Sequence, residues 1–210
     1  MCGRFAQAKL DWPSYFELFG DMEPPDLPVS FNIKPTQDIA MAYMRDGKII
    51  ASPARWWFVP HWHKGAVKDW KATTFNAKIE TAHEKPTFRT AWRHNRCIIP
   101  ATGYYEWTGP KGSKQPHYIT VEQNVPVFFF AGLYSTLRDG TQTATILTQD
   151  AGPEIAELHH RMPVILPVEQ IEPWMACKDG DYGGSGGFKH HPIKPFGIKD
   201  DGYELLMPIV

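Results

Sequence analysis

Residues 127–133 read Val-Phe-Phe-Phe-Ala-Gly-Leu, an apolar run with no polar interruption. A half-buried strand alternates apolar and polar residues, so this run predicts a central strand covered on both faces. Other β-branched or aromatic runs bounded by Gly, Pro or Asp predict strands at 39–51, 97–107, 117–122, 126–135 and 143–148. Short helices are expected at 79–84, 87–96, 153–158 and 168–176, and a further one at 11–20, with Pro13 in its first turn and Gly20 ending it. Residues 21–30 hold three prolines, and 179–187 hold five glycines; both read as loops. Several strands with few short helices imply an α+β fold of antiparallel sheets wrapped towards a barrel. No repeat or boundary signal divides the chain, so residues 1–210 are expected to form one domain.

Hydrophobic residues make up 42% and charged residues 21% of the chain, a globular composition. No stretch approaches the roughly 18–20 apolar residues of a spanning helix, and the N-terminus lacks the charged leader and apolar h-region of a secretory signal, so no membrane partner is expected. The three cysteines, Cys2, Cys97 and Cys177, match no disulfide framework or zinc spacing, which points to a reducing setting, cytoplasmic or nuclear, with no metal. Net charge is −1, yet residues 61–114 hold ten Lys/Arg against four Asp/Glu, while six of the eight tryptophans lie in 56–107. Cations interleaved with aromatics suit single-stranded nucleic acid, with phosphates on the charges and bases on the rings. The same composition also suits a Trp-rich core beside a solvated face.

The chain begins Met-Cys-Gly-Arg-Phe. Removal of Met1 would leave Cys2 with two nucleophiles on adjacent carbons, a thiol of pKa about 8.5 and an α-amine of about 7.7–8.0. The amine, substantially neutral near pH 7, attacks an aldehyde to give an imine. The thiol then closes a five-membered thiazolidine. Three further polar groups stand in apolar or tight contexts: Asn76 in Thr-Phe-Asn-Ala-Lys, Glu106 in Tyr-Tyr-Glu-Trp, and His159 in Leu-His-His-Arg-Met-Pro. A glutamate between Tyr105 and Trp107 should have its pKa raised by desolvation, which suits a general acid or base. A histidine near an arginine suits proton transfer or stabilisation of an oxyanion.

In order, MCGRF, FNIKP at 31–35, NAKIET at 76–81, GYYEW at 103–107 and HHRMPVIL at 159–166 resemble the SRAP family of abasic-site processing proteins across nearly the whole chain. The resemblance implies a barrel-like SRAP fold and a monomer acting on abasic sites in single-stranded DNA, with no cofactor. It also implies covalent capture by Cys2, with Asn76 orienting it, Glu106 as acid/base and His159 assisting ring opening. Arg4 and Arg161 would contact phosphates, and Trp62, Lys78 and Thr148 would line the DNA channel. A weak lyase side activity and self-removal of Met1 come with the same resemblance. Lys78, His63 and His160 stand where family members often carry Arg, Trp and Asp; lysine lacks the bidentate fork of arginine.

Two other reaction classes start from the same residues. An N-terminal-nucleophile amidotransferase would also expose Cys-Gly, but its oxyanion hole uses Asn-Gly, whereas Asn76 precedes Ala77. A metal-dependent hydrolase would draw on His61, His63, His159, His160, His190 or His191, without a supporting ligand motif. If Met1 is retained, a non-catalytic DNA-binding module remains.

Overall fold

The computed structural model describes residues 2–8, 25–122, 127–184 and 187–209; the helix expected over 11–20 lies outside the described residues. The elements are β1 (Phe5–Gln7), β2 (Ser30–Ile33), β3 (Asp38–Arg45), β4 (Lys48–Trp56), β5 (Asn76–Lys78), α1 (Ile79–Ala82) and α2 (Arg89–His94). There follow β6 (Arg96–Ala101), β7 (Gly103–Thr108), β8 (Gln115–Val121), β9 (Phe128–Thr136), β10 (Gln142–Asp150) and α3 (Pro153–Ala156). The chain ends with β11 (Arg161–Pro163), β12 (Ile165–Leu166), α4 (Val168–Met175) and β13 (Phe188–Pro192). One sheet has the order β13-β8-β7-β1-β2, and an eight-stranded sheet closes partly on itself because β10 pairs both β4 and β9. The α+β expectation with sheets wrapped towards a barrel matches this architecture. The ring is not purely antiparallel, since β10 runs parallel to β4 and β5.

Two stretches that read as single strands are each two. Residues 39–51 fold as a hairpin of β3 and β4, turned at Asp46 and Gly47, both at positive φ (51° and 73°). An Asp-Gly pair in that conformation matches the twist of the flanking strands. Residues 97–107 change sheets at Thr102, whose N–H donates to Ala6 O at 2.8 Å. The next residue is glycine because the Tyr118 ring occupies the space a Cβ would take.

Strand β9 is buried on both sides, as its composition predicts. Phe128 and Phe130 face the space between the sheets, where Phe5 meets Trp56 and Phe130 edge-on at 5.0 and 5.6 Å. Phe129, Ala131 and Leu133 face the helices, against Ala82, Ala91, Ile171 and Trp174. The outer face of the five-stranded sheet carries Ala6, Tyr105 and Tyr118, covered by Ile193 and Leu205. Residues after 178 are therefore more than a peripheral tail. β13 extends the sheet along β8, and Ile193 bridges Pro208 to fold the last residues back.

Candidate active site

Strand β1 carries the N-terminal motif into the core between the sheets. Phe5 lies opposite Tyr104, and Tyr105 N–H donates to Arg4 O at 3.0 Å, so the preceding residues run along β7 towards Glu106. Cys2 is fully buried, its thiol 3.6 Å from Arg4 O. Asn76 opens β5, which is held parallel beside β10 with Asn76 opposite Ile146. From there its Nδ2 donates to Cys2 O at 2.7 Å. Its Oδ1 is buried without a hydrogen-bond partner among the described residues, an acceptor next to the Cys2 backbone.

Glu106 is buried, and burial raises its pKa to about 7, against the opposing charges of the amino terminus and Lys114. The direction is the one expected, but the cause is burial between the sheets, since Tyr105 and Trp107 pack on the outer face of β7. Burial also pushes the Cys2 thiol well above its ordinary range, with the Glu106 carboxylate adding to the rise. The thiol is therefore held protonated, and its activation needs a base. His159 sits between α3 and β11, and burial followed by nearby positive charge lowers its pKa. Its Nδ1 lies 2.9 Å from Arg161 N and 3.1 Å from Arg161 O. The neutral ring can accept from the N–H, and the protonated ring can donate to the carbonyl, which suits a group that cycles a proton. His160 stacks on His159 with centroids 4.4 Å apart, so the residue standing in place of the family's Asp contacts the ring by its face.

Glu106 and His159 open onto one cleft of about 590 Å³, with Gly3 and Arg4 on its rim. Four residues that sequence reasoning did not assign to the site also line it: Trp107, Lys114, Pro195 and Phe196. Trp107 lay inside a recognised motif, but Lys114 and Phe196 carry no motif signal. Among the described residues no three His, Cys, Asp or Glu side chains converge as a metal-ligand set, and no helix is long and apolar enough to cross a membrane.

The residues expected to meet DNA separate into three groups. Arg4 reaches the cleft, Lys78 is exposed, and Trp62 is 48% exposed on a separate loop, edge-on to Trp70 at 5.6 Å. His63 packs against the same Trp70 at 5.4 Å. Thr148 is placed otherwise than expected. It is fully buried, its Oγ1 reaching Ala77 O at 3.4 Å, so it supports β5 from beneath and offers no channel surface. Arg161 also departs from the expected phosphate ligand. Its buried guanidinium donates to both Glu80 oxygens at 2.7 and 2.8 Å, to Asp150 and to Thr148 O. A phosphate here would have to displace a carboxylate. Arg161→Ala is therefore expected to cost about 1–3 kcal/mol in urea denaturation, at the low end because Glu80 and Asp150 remain solvated. It should leave the salt dependence of DNA binding unchanged.

The Trp-rich basic segment divides in the same way. Trp56 is fully buried, and Arg96 lies in the core with its guanidinium 4.6 Å from Trp92 and 4.5 Å from Trp174. Only part of that segment is solvent-facing.

Residues 1–185 match the model of the SOS response associated peptidase (SRAP) family. The chain belongs to the SRAP family. Its relatives include the abasic site processing protein YedK of Escherichia coli, 28% identical with both chains fully covered. Another is the abasic site processing protein YoqW of Bacillus subtilis, 33% identical over 86% of this chain and 83% of the relative. Among solved structures, a Bordetella bronchiseptica protein superposes with a TM-score of 0.78 at 25% identity, covering 92% of this chain and 100% of that one. These matches place the candidate site within a family whose members carry abasic-site processing in their names.

Proposed function

We propose that this SRAP protein captures abasic sites in single-stranded DNA by covalent attachment through Cys2 once Met1 is removed. The single observation that carries the reading is the convergence of a buried Cys2, an Asn76 bonded to its carbonyl, and a Glu106 with pKa near 7 at the head of a cleft shared with His159. The names of the relatives supply the lesion.

In this mechanism protonated Glu106 donates to the sugar ring oxygen while the C1′ hydroxyl gives up its proton to a nearby base, and the deoxyribose opens to its C1′ aldehyde. His159 stabilises the opened form. The Cys2 amine adds to C1′, and the carbonyl oxygen departs as water. The thiol adds to the imine carbon, giving up its proton to a nearby base, and the thiazolidine closes. Holding both nucleophiles on one residue makes closure intramolecular, with an effective molarity that reaches about 10⁵–10⁸ M in well-oriented cases. The raised thiol pKa fits an order in which the amine reacts first and the thiol follows. An unclosed imine acidifies C2′ and permits β-elimination of the 3′ phosphate, a lyase side reaction that ring closure suppresses.

Incubating the protein with single-stranded DNA bearing one abasic site should give a band that survives denaturation; no such band from Met1-free protein would overturn the reading. For DNA contact, Lys78→Ala should reduce the slope of log Kd against log salt by about 0.7, one phosphate's worth on a single strand. Intact duplex of equal length should compete poorly, because its paired bases cannot splay onto Trp62. Equal competition by duplex would contradict the aromatic contact.

A further inference from the structure

The FNIKP block holds a residue that the mechanism above does not use. Asn32 is fully buried on β2, and its amide is bonded at both ends. Oδ1 accepts from Arg4 Nη1 at 2.7 Å, while Nδ2 donates to the carbonyls of Gly197 and Asp200 at 3.1 and 2.5 Å. One amide therefore joins a cleft arginine to the C-terminal segment. That segment is a strap pinned along β2: Asp201 accepts from Ser30 Oγ at 2.9 Å and from Phe31 N–H at 2.5 Å, and Lys34 Nζ donates to Ile198 O at 2.6 Å.

The strap delivers Phe196 to the cleft wall. Its ring lies 5.6 Å from Trp107 and 5.1 Å from Tyr105, and the Arg4 guanidinium stands 5.7 Å from Phe196 and 5.8 Å from Trp107. Both distances fall within cation–π range. Arginine has many rotamers, and ordering one on binding costs free energy. Here the ordering is built into the fold: an amide oxygen fixes one nitrogen and two ring faces hold the plane. The strap also lies beyond residues 1–185, the part of the chain that matches the family model.

We propose that Asn32 and Phe196 are positioning residues for Arg4, so that residues 194–201 belong to the DNA-binding apparatus. This rests on the reading of Arg4 as a DNA contact. Phe196 acts through its ring face, so Phe196→Leu, which keeps most of the packing volume, should weaken binding of single-stranded DNA carrying a tetrahydrofuran abasic analogue by about three- to tenfold. The salt slope should not change, because the Arg4 charge remains. Phe196→Trp should restore affinity. Asp201→Ala, which unpins an exposed end of the strap, should weaken binding in the same direction. The loss in Phe196→Leu and Asp201→Ala should fall more heavily on Kd than on the rate of adduct formation at saturating DNA. Arg4→Ala is the control for the underlying reading and should lower the salt slope by about 0.7. If Arg4→Ala leaves binding unaltered, Arg4 is no DNA contact and both readings fall. If Arg4→Ala weakens binding while Phe196→Leu binds as wild type, or Phe196→Trp fails to restore what Phe196→Leu loses, the strap has no positioning role and this proposal alone is overturned.

Discussion

A Cys2→Ala protein lacking Met1 is expected to bind abasic single-stranded DNA reversibly and to form no heat-stable adduct. Alanine keeps the α-amine, so an imine can still form, but no thiol is available to close the ring. The imine hydrolyses, or eliminates the 3′ phosphate, and strand cleavage should rise relative to wild type. Affinity should be largely kept, because the cations that face solvent, Lys78 and Arg4, lie on other side chains. Removing a buried Sγ from the core between the sheets costs some stability, so folding must be checked by melting before the adduct is scored. Cys97→Ala and Cys177→Ala are the matched controls. Both are free thiols, one of them fully buried, and neither has an adjacent amine. Any thiazolidine adduct from Cys2→Ala, measured by mass, would remove Cys2 as the nucleophile.

Glu106→Gln should slow adduct formation and change its pH profile in a defined way. The wild-type rate should be bell-shaped between pH 5 and 9. On the acid side it rises as the Cys2 amine, with an ordinary pKa of about 7.7–8.0, loses its proton. On the alkaline side it falls as Glu106, raised to about 7, gives up the proton it must donate. Glutamine cannot supply that proton, so the alkaline limb should vanish and the acid limb persist. His159→Ala should lower the whole curve, since it removes stabilisation of the opened sugar at every pH. A Glu106→Gln profile superimposable on wild type would remove Glu106 from the chemistry.

The same carboxyl makes a stability prediction of known sign. Its folded pKa lies above its unfolded value, so the folded state holds the proton more tightly and stability falls as pH rises from about 4.3 through 7. Glu106→Gln removes that loss. The variant should gain melting temperature over wild type at pH 8 and little at pH 5. Buried carboxyls of this kind weaken the fold at working pH, which is the expected trade at a reactive site.

The two departures at Arg161 and Thr148 share a physical cause. Arg161 stands in the HHRMPVIL block and Thr148 was assigned through the family resemblance alone, but order along the chain says nothing about what lies across a sheet. Glu80 is 81 residues from Arg161 in sequence, yet its carboxylate takes both terminal nitrogens of the guanidinium. Thr148 pairs with Lys78 in register, yet Thr148 is fully buried and Lys78 exposed, a difference set by the surrounding segments and not by the pairing.

From the sequence alone, the doubly covered strand β9 was legible because an unbroken apolar run has few other uses, and the four described helices fall within the ranges expected for them, though none has a capping side chain. Cys2, Asn76, Glu106 and His159 were legible because each is a polar group in a tight local context, within motifs of ordered spacing. The rise in the Glu106 pKa was anticipated from aromatic neighbours, but pleating turns Tyr105 and Trp107 to the other face of β7, and it is burial on the Cys2 side that raises it. What only the tertiary structure decided was every contact made across strands or from the far end of the chain. The split of residues 97–107 between two sheets depends on Tyr118 covering Gly103, and the placement of Phe196 against Arg4 depends on the C-terminal segment folding back along β2. Local patterns report which face of an element is apolar. They carry no record of which distant segment comes to cover it, because burial depends on packing partners that no local window contains.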